Sequence, residues 1–349
     1  STPAFYHLSQ GRTLFCLASL PIHILKTMLY YMFMAILDVK NLNLGFNCEC
    51  GFRQALFDVS FKLEKGEMHS LVGESGCGKS ISAMSILNLL PKTAKITSGE
   101  IIYNNENLLS KPQSAMQKIR GAKIALIPQD PMTSLNPLYT IGNQLLEVIK
   151  IHQNLKGEQA ERRAIEALEA VQIPCARERM KAYPHEFSGG MKQRAIIAMA
   201  LCCNAEILIA DEPTTALDVT IQAQIMSLLK DIQKNKNTSI LLITHDLALV
   251  GENSDNVSVM YAGRIVETAP SKEFFANPKH PYTQALLRSL PSNKNSKLET
   301  IQGQPPTILQ DISGCRFHPR CEKCIEICTE KIPTLDNIAE NHYCACFCK

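Results

Sequence analysis

The sequence predicts an α/β fold with a mostly parallel sheet, and two observations carry this prediction. From about residue 35 to residue 290, short apolar runs alternate with longer segments whose apolar residues recur at helical spacing. Within that stretch, residues 73–80 form a glycine-rich loop between an apolar run at 68–72 and a helix-like segment at 80–90. Parallel strands need long crossover connections, which are usually helices, so this alternation is typical of a parallel sheet.

The composition bounds the size and class of the protein. Its 349 residues, 45% of them hydrophobic, are enough for one large domain with appendages or for two modest domains. The net charge of +3 is small and does not indicate bulk electrostatic binding to nucleic acid, so we expect no nucleic-acid partner. Cysteine is the anomaly, because seven of the 14 cysteines lie between Cys315 and Cys348.

The first 37 residues differ from the rest of the chain. They contain no Asp or Glu, and the apolar runs at 14–25 and 27–37 together approach the length of a membrane span, although Lys26 between them would be costly there. A membrane anchor or signal-like segment, a helix lying on a surface, and an extension upstream of the true start are the three alternatives. We favour the third, with residues 1–33 outside the fold and the folded domain beginning at Met34.

The other strands and helices follow from the same patterns. Strands are predicted at 35–42, 56–63, 68–72, 99–104, 124–127, 207–210 and 240–243, and helices at 80–90, 140–172, 190–202 and 221–232. Residues 291–303 are rich in Ser, Asn and Lys and predict a linker. We therefore expect a main domain at residues 34–290 and a C-terminal extension at residues 291–349.

The glycine-rich loop fits the pattern G-x-x-x-x-G-K-[ST] of phosphate-binding loops. Glycine allows the backbone to turn its N–H groups inward; Lys79 can reach the β- and γ-phosphates and the Ser80 hydroxyl can ligate Mg²⁺. A chance glycine-rich turn is the alternative, and the strand before the loop and the helix after it argue against that alternative. The predicted nucleotide-binding residues are Gly73, Glu74, Ser75, Gly76, Cys77, Gly78, Lys79 and Ser80.

An acidic pair follows the apolar run at 207–210. Asp211 is placed to hold Mg²⁺ through water, and Glu212 is placed to take a proton from the attacking water as the general base. An ordinary acidic turn after a strand is the alternative. It loses weight because the phosphate-binding loop lies upstream in the same strand pattern.

Two more polar residues follow predicted strands. Gln129 comes after 124–127 and His245 comes after 240–243. Parallel strands end at one edge of their sheet, so both side chains should lie near Asp211 and the phosphates. We expect His245 to serve catalysis, and Gln129 to ligate Mg²⁺ and report the state of the nucleotide to a partner. His245 taken alone would more often be an ordinary loop histidine.

A second phosphate site is predicted where Ser188, Gly189 and Gly190 precede a helix, because backbone N–H groups at a helix N-terminus attract anions. The same residues taken alone are more often a plain helix cap. Two such sites in one chain suggest that two chains hold one ATP between them, each contributing one loop and one cap.

These motifs together resemble the ATP-binding cassette (ABC) ATPases over residues 35–290. The resemblance rests on residues 73–80, Gln129, the signature at 187–191, the acidic pair, Asp218 and His245. It implies an ABC-type nucleotide-binding domain, which is a P-loop core with an antiparallel β subdomain and a helical subdomain, and it implies ATP hydrolysis.

The resemblance also implies roles that the spacing of the residues does not identify by itself. The signature residues bind the γ-phosphate across a head-to-tail dimer; they are Ser188, Gly189, Gly190 and Met191, the last standing where Gln is usual. Asp218 shapes that contact, and His245 touches the γ-phosphate. An upstream aromatic residue stacks on adenine, for which Phe46 is the best positional match and Phe52 the alternative.

Several segments resemble the branch that imports dipeptides, oligopeptides or nickel; they are residues 128–137, 183–186, 280–283 and 314–321, with Cys328 and Pro333. This implies an ATPase at the cytoplasmic face of the membrane, working with permease subunits, a second ATPase subunit and, indirectly, an extracytoplasmic binding protein. A soluble ABC ATPase acting on ribosomes or DNA is one alternative, although this chain has neither two cassettes nor a long coiled-coil insertion. A metal- or redox-regulatory protein is another.

The cysteine-rich tail predicts a metal site. Four thiolates suit a [4Fe–4S] cluster or a tetrahedral Zn²⁺. The resemblance makes Cys315, Cys321, Cys328 and Cys346 the preferred ligands of a [4Fe–4S] cluster, because some ATPases of this branch carry one here. The additional Cys324, Cys344 and Cys348 leave the choice of ligands open. A reduced tail without metal is the alternative.

Overall fold

The computed structural model describes residues 35–49, 51–215, 217–290 and 301–348. The expected N-terminal extension and most of the predicted linker lie outside these residues. Within them no helix is long and apolar enough to cross a membrane.

The strands are numbered in chain order. They are β1 Leu37–Cys48, β2 Gly51–Leu63, β3 Met68–Val72, β4 Ala94–Tyr103, β5 Glu106–Asn107, β6 Ile124–Ile127, β7 Ile207–Asp211, β8 Ser239–Thr244, β9 Asn256–Tyr261, β10 Arg264–Pro270, β11 Asp336–Ala339 and β12 His342–Cys344.

The helices are numbered likewise. They are α1 Lys79–Ile86, α2 Gln113–Ile119, α3 Pro131–Ser134, α4 Ile141–Gln153, α5 Gly157–Ala170, α6 Ala176–Arg179, α7 Gly189–Leu201, α8 Val219–Lys236, α9 Leu247–Asn253, α10 Ser271–Ala276, α11 Pro281–Arg288 and α12 Glu326–Glu330. Single 3₁₀ turns lie at Leu108–Ser110, Pro184–Glu186 and His318–Arg320.

The larger sheet has the strand order β11-β12-β10-β9-β3-β8-β7-β6. The neighbouring pairs from β9 to β6 are all parallel, while β10, β11 and β12 join antiparallel on the other side of β9. The chain segments that follow β3, β6, β7 and β8 therefore meet at one edge of the sheet. The predicted parallel sheet is confirmed, and this edge is where its polar strand-end residues gather.

Both faces of the parallel strands are covered. All residues of β7 are buried, and its side chains alternate between two cores. Ile207 and Ile209 belong to a core shared with α1 and the smaller sheet. Leu208 and Ala210 belong to a core shared with α4, α5, α7 and α8. Burial on both faces explains why these strands are short continuous apolar runs in the sequence.

The smaller sheet is antiparallel, in the order β2-β1-β4-β5. It packs over α1 through residues such as Leu37, Leu44 and Leu56, all fully buried. On the opposite face of the large sheet, α4, α5 and α7 form a helical layer. The expected antiparallel β subdomain and helical subdomain are therefore both present.

The helix predicted at 140–172 is two helices in the structure. Asn154 takes a left-handed backbone conformation with φ of 55° and ends α4, as is common for Asn at the end of a helix. Helix α5 begins three residues later at Gly157. The apolar spacing continues into the same core on both sides of the break, which is why the periodicity alone reads as one helix.

The C-terminal extension packs on the cassette. Strand β12 pairs with β10, with Glu267 opposite Cys344, and so extends the large sheet. Phe317, only 2% exposed, packs against Tyr261 and Tyr282 at ring distances of 5.1 and 5.2 Å. The large sheet and a shared aromatic core thus continue across the boundary predicted at residue 290.

Candidate active site

The loop between β3 and α1 has a backbone that only glycine adopts without strain. Gly73 and Gly78 have φ of 152° and 112°. A Cβ atom would lie 2.2 Å from the Met260 carbonyl oxygen at the first position and 2.7 Å from Leu56 Cδ2 at the second. Helix α1 then begins at Lys79 without a side-chain cap. Its first N–H groups therefore lack a capping side chain, as a phosphate-binding helix end requires.

Lys79 lies inside this loop and is 4% exposed. Its Nζ donates to the carbonyl oxygens of Gly73 at 2.8 Å and Glu74 at 3.0 Å. Cys77 Sγ lies 3.7 Å from the same Nζ. Burial raises the pKa of the Cys77 thiol despite this nearby cation, so the thiol stays protonated. The thiol therefore does not offset the positive charge of the lysine ammonium.

Ser80 and Asp211 come together at the sheet edge. The Ser80 hydroxyl donates to Asp211 Oδ1 at 3.0 Å. Asp211 is 5% exposed, and burial raises its pKa while the hydrogen bond from Ser80 opposes the rise. A hydroxyl and a carboxylate in contact beside a phosphate-binding loop are suitable ligands for Mg²⁺ and its waters.

Glu212 is held by three other side chains, two of them from other segments of the chain. Its Oε2 accepts from Gln129 Nε2 at 2.9 Å and from Thr215 Oγ1 at 3.0 Å, and its Oε1 lies 3.2 Å from His245 Nδ1. Burial alone would raise the pKa of Glu212. The hydrogen bonds from His245 and Thr215, with the charges of His245 and Lys79, outweigh burial and bring the pKa below its usual value. The carboxylate is therefore ionised at neutral pH.

The backbone of Glu212 is unusual as well. Its φ is 46°, a left-handed conformation that costs a non-glycine residue about 1–3 kcal/mol. The Glu212 N–H donates to the Ile243 carbonyl oxygen at 2.8 Å, and the Thr215 N–H donates to the Glu212 carbonyl oxygen at 3.2 Å. These bonds hold the carboxylate at the edge of the sheet. Sequence analysis did not identify Thr215, because a threonine three residues after an acidic pair has no distinctive pattern.

A cavity of about 380 Å³ joins these groups. Residues of the phosphate-binding loop line it together with Gln129 and Glu212. Phe46, the residue expected to stack on adenine, also lines it. The alternative, Phe52, is 43% exposed. Its ring packs directly on Gly45, since a Cβ atom built on that glycine would lie 2.3 Å from Phe52 Cζ. The position of Phe46 therefore favours it over Phe52.

Part of the cavity wall was not identified by sequence analysis. Phe57 lines it from β2, and Arg316 and residues 306–308 line it from the C-terminal extension. The Arg316 guanidinium carbon lies 4.2 Å from the centroid of the Phe57 ring. Alternation in β2 places Phe57 on a strand face without indicating a ligand, and no local motif places residue 316 beside residue 57.

The signature residues lie elsewhere on the chain's surface. Ser188 is exposed and caps α7, its Oγ accepting from the Met191 N–H at 3.3 Å. Neither these residues nor Gly189 and Gly190 line the cavity of their own chain. Both the predicted phosphate site and the alternative of a plain helix cap require the helix N-terminus seen here.

Asp218 lies next to this helix tip. It caps α8, accepting from the Ile221 N–H at 3.0 Å. A Cβ atom on Gly190 would lie 2.9 Å from Ile221 Cγ2, so the start of α7 and the start of α8 are in close contact. The structure thus brings Asp218 beside the signature, apart from the phosphate-binding loop of the same chain.

The four preferred cysteines of the tail influence one another electrostatically. Burial raises the pKa of Cys315, and Cys328 and Cys346 raise it further. Burial raises the pKa of Cys321 to about 11, with further contributions from Cys315 and Cys346. Among the described residues, however, no three His, Cys, Asp or Glu side chains are arranged to hold a metal ion. The iron–sulfur cluster therefore remains a prediction.

Comparison with known families agrees with this fold and site. Residues 56–215 match the ABC transporter family, and residues 266–328 match the C-terminal region of oligopeptide/dipeptide transporters. A dimeric ATP-binding cassette in a post-hydrolysis state, bound to ADP and Pi, has a TM-score of 0.61 and 28% identity, covering 67% of this chain and 98% of that one. The fold and the site thus define an ATP-hydrolysing cassette of the ABC class.

Relatives narrow the assignment. A probable peptide ABC transporter ATP-binding protein of Sinorhizobium fredii is 49% identical over 316 residues, covering 89% of this chain and 94% of the relative. The dipeptide transport ATP-binding protein of Bacillus subtilis is 46% identical over 315 residues, with the same coverage. The oligopeptide transport ATP-binding protein of Escherichia coli is 45% identical over 315 residues, covering 90% and 93%. The chain belongs to the dipeptide/oligopeptide family of ABC transporter ATPase subunits.

Proposed function

We propose that this chain powers the import of dipeptides or oligopeptides, acting at the cytoplasmic face of a membrane beneath permease subunits. The observation that carries the proposal is the Glu212 carboxylate, held by three side chains at the edge of the phosphate-binding cavity. The match of residues 266–328 to the C-terminal region of oligopeptide/dipeptide transporters supports peptides as the solute. The same match favours transport over a soluble regulatory or nucleic-acid-linked ATPase. Nickel or another small solute is the alternative within the family.

In this proposal, the loop N–H groups and Lys79 hold the phosphates of ATP. Lys79 exchanges its two carbonyl partners for phosphate oxygens. Ser80 would hold Mg²⁺ directly, Asp211 through water and Gln129 beside them, and the metal would supply positive charge to the phosphates. Catalysis of this kind consists mainly of positioning and charge stabilisation.

Glu212 is the proposed general base. It is ionised at neutral pH, so it can accept a proton from the water that attacks the γ-phosphate. Gln129, Thr215 and His245 hold its two oxygens in place, and His245 is also proposed to contact the γ-phosphate. Because Gln129 both contacts Glu212 and precedes the surface segment at α3, it is suited to report nucleotide binding to a partner.

A second ATPase chain, identical or similar, is proposed to close the site. Its Ser188, Gly189, Gly190 and Met191 would contact the γ-phosphate bound by the first chain, with Asp218 shaping the contact. The position of the signature outside its own chain's cavity supports this arrangement. Closing and reopening of the two chains would drive the permease, and an extracytoplasmic binding protein would deliver the solute.

We also propose that Cys315, Cys321, Cys328 and Cys346 hold a [4Fe–4S] cluster. The order and spacing of these four cysteines, which resemble those of importer ATPases that carry such a cluster, support the proposal. Iron and acid-labile sulfide are measured in anaerobically purified protein, for the wild type, Cys315→Ser and the exposed control Cys175→Ser. Loss of iron in the first variant alone is expected. Stoichiometric zinc, or no metal in the wild type, would contradict the proposal.

The transport proposal is tested in proteoliposomes that contain the chain with its co-purified membrane partners. ATP-dependent uptake of a labelled dipeptide is measured beside uptake of labelled nickel. Dipeptide uptake that is lost in Glu212→Gln is the expected result. Nickel uptake without peptide uptake would show that the transported solute is nickel rather than a peptide. ATP hydrolysis that neither solute affects would contradict a role in transport.

A further inference from the structure

The C-terminal extension reaches the phosphate-binding loop through one arginine. Arg320 Nη1 lies 2.7 Å from Glu74 Oε2, and Arg320 Nη2 lies 3.0 Å from Glu74 Oε1. This is a two-point contact between a guanidinium and a carboxylate, which is the geometry of the stronger ion pairs. The arginine side chain is 6% exposed and the glutamate side chain 25%, so the guanidinium is shielded from water and the carboxylate is partly exposed. Glu74 belongs to the predicted nucleotide-binding loop, yet its carboxylate is directed to the extension.

The arginine is fixed by further bonds. Its Nε donates to the Gln302 carbonyl oxygen at 2.9 Å, Nη2 donates to the Gly303 carbonyl oxygen at 3.3 Å, and Nη1 donates to the Tyr261 hydroxyl at 3.3 Å. One guanidinium thus donates to both oxygens of Glu74, to two backbone carbonyl oxygens and to a tyrosine hydroxyl. The side chain of Arg320 is therefore fixed in one position by groups of both the cassette and the extension.

Glu74 is held at every polar group. Its carboxylate binds Arg320, its N–H donates to the Tyr282 hydroxyl at 3.0 Å, and its carbonyl oxygen accepts from Lys79 Nζ at 3.0 Å. One residue thus links the extension to the lysine that is to bind phosphate. A shift of Arg320 would be transmitted to that lysine through a single residue.

A second part of the extension faces the same cavity. Arg316 lies against Phe57, and its Nε is buried with no hydrogen-bond partner among the described residues. Residues 306–308 line the cavity beside it, and Asp311 is joined to Arg53 of β2 at 3.2 Å. An aromatic ring, a guanidinium plane and apolar side chains are the groups that bind a nucleobase and its sugar.

We propose that the extension completes the nucleotide site. Arg316 and residues 306–308 contact the base and sugar of the adenine nucleotide, and Arg320 positions the phosphate-binding loop through Glu74. Arg316 is then a binding residue and Arg320 a positioning residue. The inference rests on the ATP site of the proposed function. It adds residues of the C-terminal extension to the cassette residues that bind the nucleotide.

The test is nucleotide binding by the full chain, measured by calorimetry with Mg²⁺ and either ATP or inorganic tripolyphosphate. Arg316→Ala is expected to weaken ATP binding about tenfold, as for loss of a partly desolvated cation–π contact, and to leave tripolyphosphate binding within about twofold. Arg320→Gln is expected to weaken both ligands about tenfold or more, since it removes a charge-assisted two-point bond.

Two further variants separate positioning from folding. If Arg320 acts through Glu74, the double variant Glu74→Gln with Arg320→Gln binds ATP no more weakly than Arg320→Gln alone. Arg320→Lys keeps the charge but not the fork, and it should recover only part of the affinity. The matched control is Glu322→Gln, which breaks an exposed ion pair between the extension and Arg288, 3.1 Å long and outside the cavity.

Each outcome bears on one claim. Unchanged ATP affinity in Arg316→Ala, or equal losses for ATP and tripolyphosphate, would overturn the base-side assignment. If the double variant loses more ATP affinity than Arg320→Gln alone, or if Glu322→Gln loses as much, Arg320 has only a general structural role. A wild type that fails to bind ATP would refute the proposed function itself rather than this inference.

Discussion

The two walls of the nucleotide cavity are held by different forces. On the cassette side, Asp211 and Glu212 stand at the end of β7, where parallel ladders fix the backbone, and Ser80 stands in the first turn of α1. On the extension side, Arg316 and Arg320 lie on a segment with one 3₁₀ turn, and side-chain contacts across more than 200 residues of sequence hold them there. The cassette wall positions reacting groups through the backbone, whereas the extension wall reaches the nucleotide site through two arginine side chains.

We expect this difference between the walls to separate the rate of ATP hydrolysis from the affinity for ATP. A change in the cassette wall should reduce the rate of hydrolysis while binding persists, and a change in the extension wall should do the reverse. The predictions below test that separation, beginning with the largest expected effect.

Glu212→Gln is expected to lower ATP turnover by about 10²–10⁴-fold, because it removes the proposed base and keeps its shape. ATP affinity should stay within about threefold of the wild type, since Lys79 and the loop are unchanged. Phosphate release and calorimetry measure the two quantities. The exposed Glu166→Gln is the control, and turnover at the wild-type level in Glu212→Gln would refute the assignment.

Glu267→Ala is expected to lower the free energy of unfolding by about 3–5 kcal/mol, because it leaves buried donors unpaired. Glu267 is fully buried and accepts from the N–H groups of Lys279 and His280 at 2.7 and 2.9 Å and from His342 Nε2 at 2.8 Å. Urea denaturation measures the loss. Glu322→Gln, in an exposed pair, should lose less than about 1 kcal/mol; equal losses would show that burial is not the cause.

Thr215→Val is expected to reduce turnover about tenfold, because it removes one of the hydrogen bonds that orient Glu212 Oε2. The loss should appear in kcat rather than in KM, as for a positioning residue. Thr215→Ser retains the hydroxyl and should recover most of the rate. A loss confined to KM would place Thr215 in ATP binding instead.

His245→Ala should move the acid limb of the pH–rate profile. Burial raises the pKa of Glu212, but hydrogen bonding to His245 is the largest opposing cause, and the net pKa lies below its usual value. In the wild type the base therefore stays ionised as pH falls through the ordinary glutamate range. Without His245 the pKa rises, so activity should decline at a higher pH. An acid limb at the same pH in both proteins would contradict this account.

The strand edge could be predicted because its signals are local. Asp211, Gln129 and His245 each stand at or just after the end of an apolar run, and parallel strands bring such ends together. The break in the helix at 154–156 escaped prediction because Asn154 changes the backbone without changing the apolar spacing. Strands β9 to β12 were not predicted, and β11 and β12 are short and mostly carry exposed or partly buried side chains.

The extension wall could not be predicted by the same reasoning. The Glu74–Arg320 pair joins positions 246 residues apart, and a single glutamate within a phosphate-binding motif reads as part of that motif. The cysteines around Arg316 and Arg320 also drew the interpretation toward metal, so the arginines between them carried no separate signal. Contacts made by side chains alone, at large sequence separation, leave no periodicity to detect.

Glu267 has a consequence for how this architecture can be divided. Its carboxylate belongs to β10, two of its donors precede α11, and the third, His342, belongs to the hairpin that closes the chain. A truncation at the linker, or a graft of this tail onto another cassette, would leave a buried carboxyl group or its buried partners with part of their hydrogen bonding missing. The tail is thus not an interchangeable module, and the cassette and its tail are expected to fold as one unit.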